Sequence, residues 1–305
     1  MLGKSALFLL TGLFALSFQT TKPHQTNNTQ KQLLKRIVID PGHGGSAAEA
    51  RKFYGASGKH MEEKDVALAI GLQLEKDIHQ QMPDVEVVMT RTTDVFDHPV
   101  IKANKANAAH GDLFISIHCN DVGPTRHRVR DGYTTKTVTR KGKKTTVKVP
   151  KYRTWYEPNL AKGTETYIWG VGKTKEKEEA LSENNFIDSS LLIIDKNESP
   201  AMKMINSMRT QEYAKRSRAL AETIEDEFTK SGRVSRGAKQ RDEAGIWVLQ
   251  AVAMPAVLVE VGFLSNPEEE EYITSKEGQK EVSQTIVRAL KRYQYSLEKL
   301  GSGGK

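Results

Sequence analysis

Short apolar strands alternate with helical segments along this chain, and this alternation restricts the fold more than any other feature. Three runs of β-branched and aliphatic residues, IVID, LFISIHC and AVLVEV, begin at Ile37, Leu113 and Ala256. Near-continuous apolar runs are typical of strands buried on both faces, as in parallel sheets covered by helices. The order of elements therefore predicts an α/β fold with a single twisted, mostly parallel sheet flanked by helices on both faces.

The segments between these runs carry apolar residues at helical spacing. Val66, Ile70 and Leu74 recur every four residues in the segment from Glu63 to Gln81, as expected for one face of a helix. We predict helices at residues 63–81, 99–111, 208–230 and 276–297. We predict further strands at residues 84–91, 164–170 and 246–250, with a loop at 231–245.

The N-terminus has the pattern of a secretory signal. Lys4 precedes an apolar stretch of 13 residues from Ala6 to Phe18, which is shorter than the roughly 20 residues of a membrane-spanning helix. We therefore expect export to the periplasm or cell envelope, with no stable membrane span after signal cleavage. The expected organisation is a signal peptide (1–20), a flexible leader (21–35), one catalytic domain (36–298) and a flexible tail (299–305).

Two insertions interrupt the predicted domain, at about 122–160 and 184–210. The first holds eleven lysines and arginines against two acidic residues, which accounts for the whole net charge of +8. Its alternating pattern predicts a β-hairpin turning at Lys141-Gly142-Lys143. An exported protein seldom meets nucleic acid, so we expect no nucleic-acid partner. Binding to an anionic polymer and a merely solvated hairpin both remain open. The second insertion is polar and partly helical.

Cysteine usage limits the kinds of site that the chain can build. Cys119 is the single cysteine, so neither an intramolecular disulfide nor a cysteine-based zinc site can form. Any metal is left to histidine and carboxylate ligands.

Two histidines follow or end predicted strands of the same sheet. His43 lies in the glycine-rich stretch PGHGG directly after the first strand, and His118 ends the strand LFISIHCN. Because carboxyl ends of parallel strands meet at one edge of a sheet, we expect both imidazoles at that edge. Asn120 shares a strand face with His118, where it could contact substrate or cap a turn.

Two carboxylates complete the candidate set. Glu260 interrupts the apolar strand AVLVEVGF, and a buried carboxylate is costly unless it is paired, protonated or close to a metal. Glu63 opens the first long helix, where a negative charge is favourable in any case. Two imidazoles and one carboxylate are the ligand count of a catalytic zinc site, with a second carboxylate left over.

At this point the sequence resembles a known family, the zinc-dependent N-acetylmuramoyl-L-alanine amidases that hydrolyse bacterial peptidoglycan. The resemblance lies in seven motifs that occur in the family's order across residues 36–296: VIDPGHGG, EKDVALAI, MTRTTD, ANAAHGDLFISIHCN, GTETYIW, SRGAKQ and MPAVLVEVGFLSNP. It implies that His43, Glu63 and His118 are the Zn²⁺ ligands and that Glu260 is the catalytic carboxylate.

The function implied by this resemblance is hydrolysis of the amide bond between N-acetylmuramic acid and L-alanine in peptidoglycan. The biological role would be cell-wall remodelling or daughter-cell separation. Zinc would activate a water, and Glu260 would take its proton and deliver it to the leaving amine. One alternative is another zinc amidohydrolase or peptidase, although no HExxH motif is present. Another is a non-catalytic or autoinhibited peptidoglycan-binding regulator.

Two departures from the family pattern bear on these expectations. Lys102 stands where the family often has an arginine, and we expect it to lie peripheral to the metal ligands. Residues 184–210 fall where some members carry a helix that covers the zinc. This placement raises the hypothesis of an autoinhibitory element that a protein activator displaces, against the alternative of a surface excursion.

Overall fold

The computed structural model describes residues 34–170, 200–241 and 246–302. Within these ranges the strands are β1 (Arg36–Pro41), β2 (Glu86–Met89), β3 (Leu113–Asn120), β4 (Thr125–Arg140), β5 (Lys143–Glu157), β6 (Thr164–Trp169), β7 (Ser235–Arg241) and β8 (Ala256–Phe263). The helices are α1 (Ala47–Ala50), α2 (Glu63–Gln81), α3 (Pro99–Ala108), α4 (Pro200–Lys230), α5 (Trp247–Ala251), α6 (Pro267–Thr274) and α7 (Lys276–Ser302), and a 3₁₀ turn lies at Arg51–Phe53.

Six strands form one sheet in the order β2-β1-β3-β8-β6-β7. The first four strands in this order run parallel to one another, and β6 pairs antiparallel with β8 and parallel with β7. Helices cover the sheet. The predicted α/β class with a mostly parallel sheet is therefore confirmed.

Alternate side chains of each central strand enter different cores. Val257 and Val259 pack into the core beneath α2, α4 and α7, whereas Leu258 packs on the opposite face against α3 and α5. Phe114 lies in the same core as Leu258. By two-residue alternation, His118 and Glu260 point toward the α3 and α5 face.

The carboxyl ends of β1, β3 and β8 meet at one edge of the sheet. His43 follows β1, while His118 and Asn120 belong to the last residues of β3. Glu260 lies in the second half of β8, and Glu63 is the first residue of α2. This edge is where open α/β sheets place their ligand sites.

Two predicted elements around residue 240 are wrong. The predicted loop at 231–245 contains the strand β7, a polar, partly exposed edge strand that pairs only with β6 in the described sheet. The predicted strand at 246–250 is the helix α5, whose Val248 and Leu249 are buried. A short apolar run is compatible with either a strand or a helix, and sequence periodicity cannot separate them.

The helices at the C-terminal end also differ from the prediction. The helix α6 was not predicted, although Asn266 caps it and Pro267 occupies its first turn. Three glutamates follow in the same turn, a pattern typical of a helix N-terminus. The last helix, α7, continues to Ser302 beyond the predicted end at Leu297, into the segment expected to be a flexible tail.

The basic insertion forms the predicted hairpin. β4 and β5 pair with each other along their length as a separate two-stranded sheet, and they are joined at Lys141 and Gly142. Of the second insertion, residues 200–210 form the first turns of α4, while 184–199 lie outside the described residues. The expected signal peptide (1–20) and most of the leader also lie outside them. Among the residues described, no helix combines the length and apolar character needed to cross a bilayer.

Candidate active site

The His43 imidazole is fixed by the loop that follows β1. The backbone of His43 has φ 58°, in the left-handed region that side-chain-bearing residues rarely adopt. Its Nδ1 lies 2.6 Å from the Phe53 carbonyl oxygen, so Nδ1 carries the proton and donates it there. This bond leaves Nε2 facing the site, where the neutral ring can offer its lone pair to a metal, a common arrangement for metal-binding histidines.

One oxygen of Glu63 lies between the two imidazoles. Its Oε1 is 3.0 Å from His43 Nε2 and 2.9 Å from His118 Nδ1. Backbone amides fix the carboxylate, because the Cys119 N–H donates to Oε1 at 3.1 Å and the Ala56 N–H donates to Oε2 at 2.8 Å. The three side chains thus bring donor atoms within 4.8 Å of one another and could hold a metal ion.

Two glycines allow these side chains to approach the backbone closely. A Cβ on Gly42 would lie 2.5 Å from the His118 ring, well inside van der Waals contact. Gly55 has φ +94°, and a Cβ there would lie 2.8 Å from the His43 ring and 2.9 Å from a Glu63 oxygen. The glycines therefore provide the space in which the three candidate ligands converge.

The pKa shifts of Glu63 and His118 favour metal binding, whereas the shift of His43 favours a proton over a metal. Burial opposes the charge on Glu63, but hydrogen bonds with His118 and His43 outweigh it and hold the pKa of Glu63 far below its usual range. Burial lowers the pKa of His118, although Glu63 opposes that shift. For His43, burial is outweighed by the bonds with Glu63 and Phe53, so its pKa is raised. A metal requires the carboxylate ionised and the imidazoles neutral.

Glu260 is the unpaired carboxylate of the site. It is the partner of His118 in the β3–β8 register. Its Oε2 is buried, and it has no hydrogen-bond partner among the residues that the structure describes. Burial, followed by the nearby charge of Glu63, raises the pKa of Glu260 to about 8.

A cavity of about 490 Å³ opens over these groups. His43, Glu63, His118 and Glu260 all line it, together with residues of α3 and α5. Trp247 of α5, which is about half exposed, and Arg241 at the end of β7 form part of its wall. The volume fits a substrate fragment of drug-like size.

Asn120 and Cys119 lie beside the candidate ligands. Asn120 lines the cavity, and its side-chain oxygen accepts a hydrogen bond from the backbone of Asp121 at 3.1 Å. Both expected roles, substrate contact and turn cap, therefore remain compatible with its position. Cys119 is buried in the larger core, and burial raises the pKa of its thiol well above the usual value.

The expectation that Lys102 lies peripheral to the ligands is wrong. Lys102 is buried in the cavity wall, where its Nζ lies 2.8 Å from Asp40 Oδ1 and donates to the Pro41 carbonyl at 2.6 Å. Asp40 also accepts hydrogen bonds from Thr90 and Ser116. The ion pair therefore supports the end of β1, two residues before His43. Its importance was missed because pairing across β1 and α3 depends on tertiary structure.

Arg91 is a second residue that the analysis of the sequence missed. This buried guanidinium donates to the carbonyls of Pro41 (3.0 Å) and Gly42 (2.7 Å), next to His43, and to the carbonyl of Lys64 (2.7 Å), next to Glu63. It therefore joins the two backbone segments that carry candidate ligands. The available signal was an arginine as the last residue of a predicted strand, within the motif MTRTTD.

None of residues 200–210, the described part of the second insertion, lines the cavity. The hypothesis of an autoinhibitory element consequently concerns residues 184–199, and it stays a prediction.

Comparison with known proteins identifies the family and supports the fold. The family Amidase_3, N-acetylmuramoyl-L-alanine amidase, matches residues 37–292. The amidase AmiC of Escherichia coli O6:H1 is 29% identical over 259 residues, which cover 84% of this chain and 52% of AmiC. The chain spans about half the length of the curated relatives AmiC from this organism and from Neisseria meningitidis.

Solved structures resemble the chain in fold. The N-acetylmuramoyl-L-alanine amidase from Clostridium difficile 630 superposes with a TM-score of 0.53 at 23% identity, covering 86% of this chain and 98% of that one. The CwlD amidase from Clostridioides difficile, solved in complex with the GerS lipoprotein, gives a TM-score of 0.52 at 20% identity, covering 86% and 99%. With the family match extending over most of the chain, the protein belongs to the N-acetylmuramoyl-L-alanine amidase family.

Proposed function

We propose that the protein hydrolyses the amide bond between N-acetylmuramic acid and L-alanine in peptidoglycan, with zinc as its cofactor. The observation that carries this proposal is the juxtaposition of a three-residue donor cluster with the unpaired carboxylate of Glu260. A separate, unpaired carboxylate is what an amidase needs in addition to metal ligands, because proton transfer must accompany cleavage.

The donor set fits zinc. Two imidazole nitrogens and one carboxylate oxygen from His43, His118 and Glu63 match the three protein ligands of a catalytic zinc site. When bound, zinc supplies Lewis-acid activation of water and of the scissile carbonyl. The Phe53 carbonyl orients His43, while the Ala56 and Cys119 amides orient Glu63, so the ligands are held before the metal arrives.

Glu260 holds and moves the proton in this reaction. Its Oε2 has no competing partner, so it can accept a proton from the attacking water and return it to the leaving amine of L-alanine. The raised pKa makes the protonated form accessible near neutral pH, as proton delivery requires. Asn120, in the cavity wall beside His118, provides a polar contact for the substrate.

The cell envelope is the proposed place of action. The sequence pattern of residues 1–20 supports export, and the periplasm or cell wall is where peptidoglycan is found. Wall remodelling or daughter-cell separation is the corresponding role. A protein activator belongs to the same proposal, since CwlD was solved with a lipoprotein partner.

Peptide release from purified peptidoglycan tests the proposed function. We expect release by the parent chain, loss of release in EDTA and its return with zinc. Glu260→Gln should lower the rate at least 100-fold, as expected for loss of a general base. The matched control is Glu268→Gln, a glutamate with an exposed side chain outside the cavity. No release by the zinc-loaded protein, either as the parent chain or after deletion of residues 184–199, would contradict the proposal.

The same assay separates the alternatives. A non-catalytic binding regulator would bind peptidoglycan without releasing peptide under any condition, and a general peptidase would also cleave ordinary peptides. Deleting residues 184–199 tests autoinhibition. Peptide release that appears only after the deletion would mean that these residues inhibit the activity of the intact chain.

A further inference from the structure

The β4–β5 hairpin has two chemically different faces. Even-numbered residues of β5 and the β4 residues paired with them lie on one face of the hairpin. Odd-numbered residues of β5 and their partners lie on the other face. We define the cationic face as the even-numbered positions 144–156 of β5 and their β4 partners. All side chains of this face are exposed, whereas the half-buried residues of the two strands all lie on the opposite face: His127, Val138, Val147 and Val149.

Both faces carry lysines and arginines, among them Lys136, Arg140 and Arg153 on the opposite face, but the faces differ in their carboxylates. The hairpin's carboxylates belong to Asp131, at the bulge, and Glu157, on the opposite face. Glu157 is already engaged there, because its Oε2 lies 3.1 Å from His127 Nε2 and its Oε1 accepts from the Trp155 indole at 3.1 Å. The cationic face carries no carboxylate. Its cations are Arg126, Arg128, Arg130, Lys144 and Lys148.

A β-bulge keeps the arginines and the aromatic residues on one face. The register shifts between Arg130 and Tyr133, which leaves one extra residue in β4. If residues 130–133 alternated regularly, without the bulge, Tyr133 would point to the face opposite Arg130, because side chains alternate along a strand. The bulge therefore keeps the cationic face continuous along the hairpin, before and after residues 131 and 132.

Tyrosines lie between the arginines of this face. The Arg128 guanidinium lies 3.7 Å from the Tyr152 ring centroid, and that of Arg130 lies 5.4 Å from the Tyr133 centroid. Tyr133, Tyr152 and Tyr156 are 59%, 44% and 61% exposed. Exposed tyrosine offers a flat apolar ring and a polar tip, a combination suited to packing against sugar rings.

We propose that the cationic face binds the carboxylate-bearing glycan–peptide strands of the cell-wall polymer at a distance from the bond being cleaved. Arginine guanidinium groups match carboxylates in geometry and charge, and the tyrosines add contacts to the sugars. The inference rests on the proposed function, since the bound polymer is the one that the cavity cleaves. A surface of this length suits a polymer, because 16 residues of β4 extend about 50 Å.

The base of the hairpin lies next to the cavity. β4 begins five residues after Asn120, and the intervening Asp121 also lines the cavity. The Val122 N–H donates to Ser265 Oγ at 3.0 Å, while Asn266 Nδ2 donates to the Leu160 carbonyl at 3.3 Å beyond β5. Both ends of the arm are therefore attached beside β8, so polymer held on the arm is retained near the site.

Sedimentation with insoluble peptidoglycan tests this inference. The peptidoglycan is first freed of attached proteins and phosphodiester polymers, and every chain carries Glu260→Gln to prevent digestion. We compare the parent with the triple variant Arg126→Gln/Arg128→Gln/Arg130→Gln. Three exposed ion pairs together are expected to change the dissociation constant about tenfold.

The matched control removes the same charge from the opposite face. Lys136→Gln/Arg140→Gln/Arg153→Gln should bind within about twofold of the parent, because these residues are on odd-position pairs. Equal weakening by both triples would overturn the inference, since it would show a general charge effect. The variant Arg126→Lys/Arg128→Lys/Arg130→Lys keeps the charge and should bind better than the glutamine triple. An equal loss of binding in the lysine triple and the glutamine triple would also overturn the inference.

The identity of the ligand is tested on the polymer itself. Amidation of the peptide carboxylates should reduce parent binding to the level of the glutamine triple. Binding that requires the removed phosphodiester polymers would overturn the inference in favour of a phosphate ligand. Cleavage of a soluble disaccharide peptide by the chain with Glu260 intact tests the proposed function separately, so the two proposals can fail independently.

Discussion

His118 and Glu260 are direct partners in the parallel pairing of β3 with β8. This relationship places a candidate metal ligand and a candidate proton carrier on the same face of the sheet, toward α3 and α5. A slip of one residue in this register would turn Glu260 into the opposite core. The apolar neighbours Val257, Leu258 and Val259, all buried, therefore fix the register on which the chemistry depends.

The first prediction concerns Glu260 and the stability of metal-free protein. Its pKa is raised to about 8 in the folded chain, from 4.5 for an ordinary glutamate. The folded state therefore binds this proton more tightly, and stability is lost as pH rises from about 4.5 through 8. Glu260→Gln avoids that loss, so its advantage over the parent should grow from near zero at pH 4.5 to on the order of 4 kcal/mol at pH 8. Urea unfolding in EDTA at several pH values measures the free energy of unfolding of both chains. A difference between them that does not change with pH would contradict the prediction.

The second prediction concerns the space beside His118. Gly42→Ala would place a methyl group 2.5 Å from the imidazole, so the ring must leave its present position beside Glu63. We expect zinc affinity to fall by about 10- to 100-fold, the range typical of disturbed ligand orientation. Gly123→Ala is the matched control, because no atom lies within 4 Å of its added Cβ. Competition with a chromogenic chelator measures the affinities, and equal values would show that the ring position is not critical.

The central strands and the candidate site were predictable because their signals are local. The runs that became β1, β3 and β8 are mostly apolar, so the ionisable side chains of His118 and Glu260 within them indicate a functional site. Parallel pairing then brings the strand ends together without further information. The hairpin was predictable for the same reason, since alternation and a Lys-Gly turn lie within a single continuous segment.

Elements whose structure depends on distant partners were not predictable. β7 is polar and occupies a sheet edge, where pairing with β6 is what defines the strand. The run IWVLQ became α5 because Val248 and Leu249 fill the core over α3, a contact without a local signature. Lys102 and Arg91 likewise act on backbone carbonyls of β1 that are 50 or more residues away.

The third prediction concerns Arg91 as a positioning residue. Its guanidinium reaches the carbonyls of Pro41, Gly42 and Lys64 simultaneously, and a lysine ammonium lacks the planar fork required to do so. Arg91→Lys should weaken zinc binding by roughly 10- to 100-fold through loosened ligand segments. Arg36→Lys, at a part-exposed arginine paired with Glu86, serves as control. Unchanged zinc affinity in Arg91→Lys would leave Arg91 with a purely structural role.

The fourth prediction concerns the buried pair of Lys102 and Asp40. Burial opposes the charge of Asp40, but Lys102 and the hydrogen bonds from Thr90 and Ser116 outweigh it and lower the pKa of Asp40. Lys102→Met should cost about 3–5 kcal/mol at pH 7, because it leaves a buried carboxylate without its counter-ion. Without Lys102, burial raises the pKa of Asp40, so this carboxyl is protonated and the cost shrinks as pH falls toward 4. The parent keeps its own contribution over this range, because the lowered pKa of its Asp40 lies below the unfolded value of 3.8.

The double variant Lys102→Met/Asp40→Asn controls for this explanation. Removing both charges should recover most of the lost stability, whereas independent structural roles would make the two costs add. Urea unfolding of the parent, both single variants and the double variant gives the coupling directly.

The last prediction assigns Arg241 a role in recognising the substrate peptide. Two lysine or arginine side chains, Lys102 and Arg241, are among the described residues lining the cavity. The Lys102 ammonium is committed to Asp40 and Pro41, whereas Arg241 is exposed and lies against the Tyr167 ring, 4.9 Å from its centroid. A carboxylate of the wall peptide would find its counter-ion at Arg241.

Arg241→Gln should therefore lower kcat/KM about tenfold, mostly through a higher KM, because the lost contact binds substrate rather than the reacting atoms. The control is a substrate whose peptide carboxylates are amidated. On that substrate the parent and Arg241→Gln should have nearly equal KM values, since the charge that Arg241 recognises is already absent. An equal penalty on both substrates would mean that Arg241 acts through the shape of the cavity or through the pKa of Glu260, which its charge lowers. A shifted pH profile of kcat would then identify the second route.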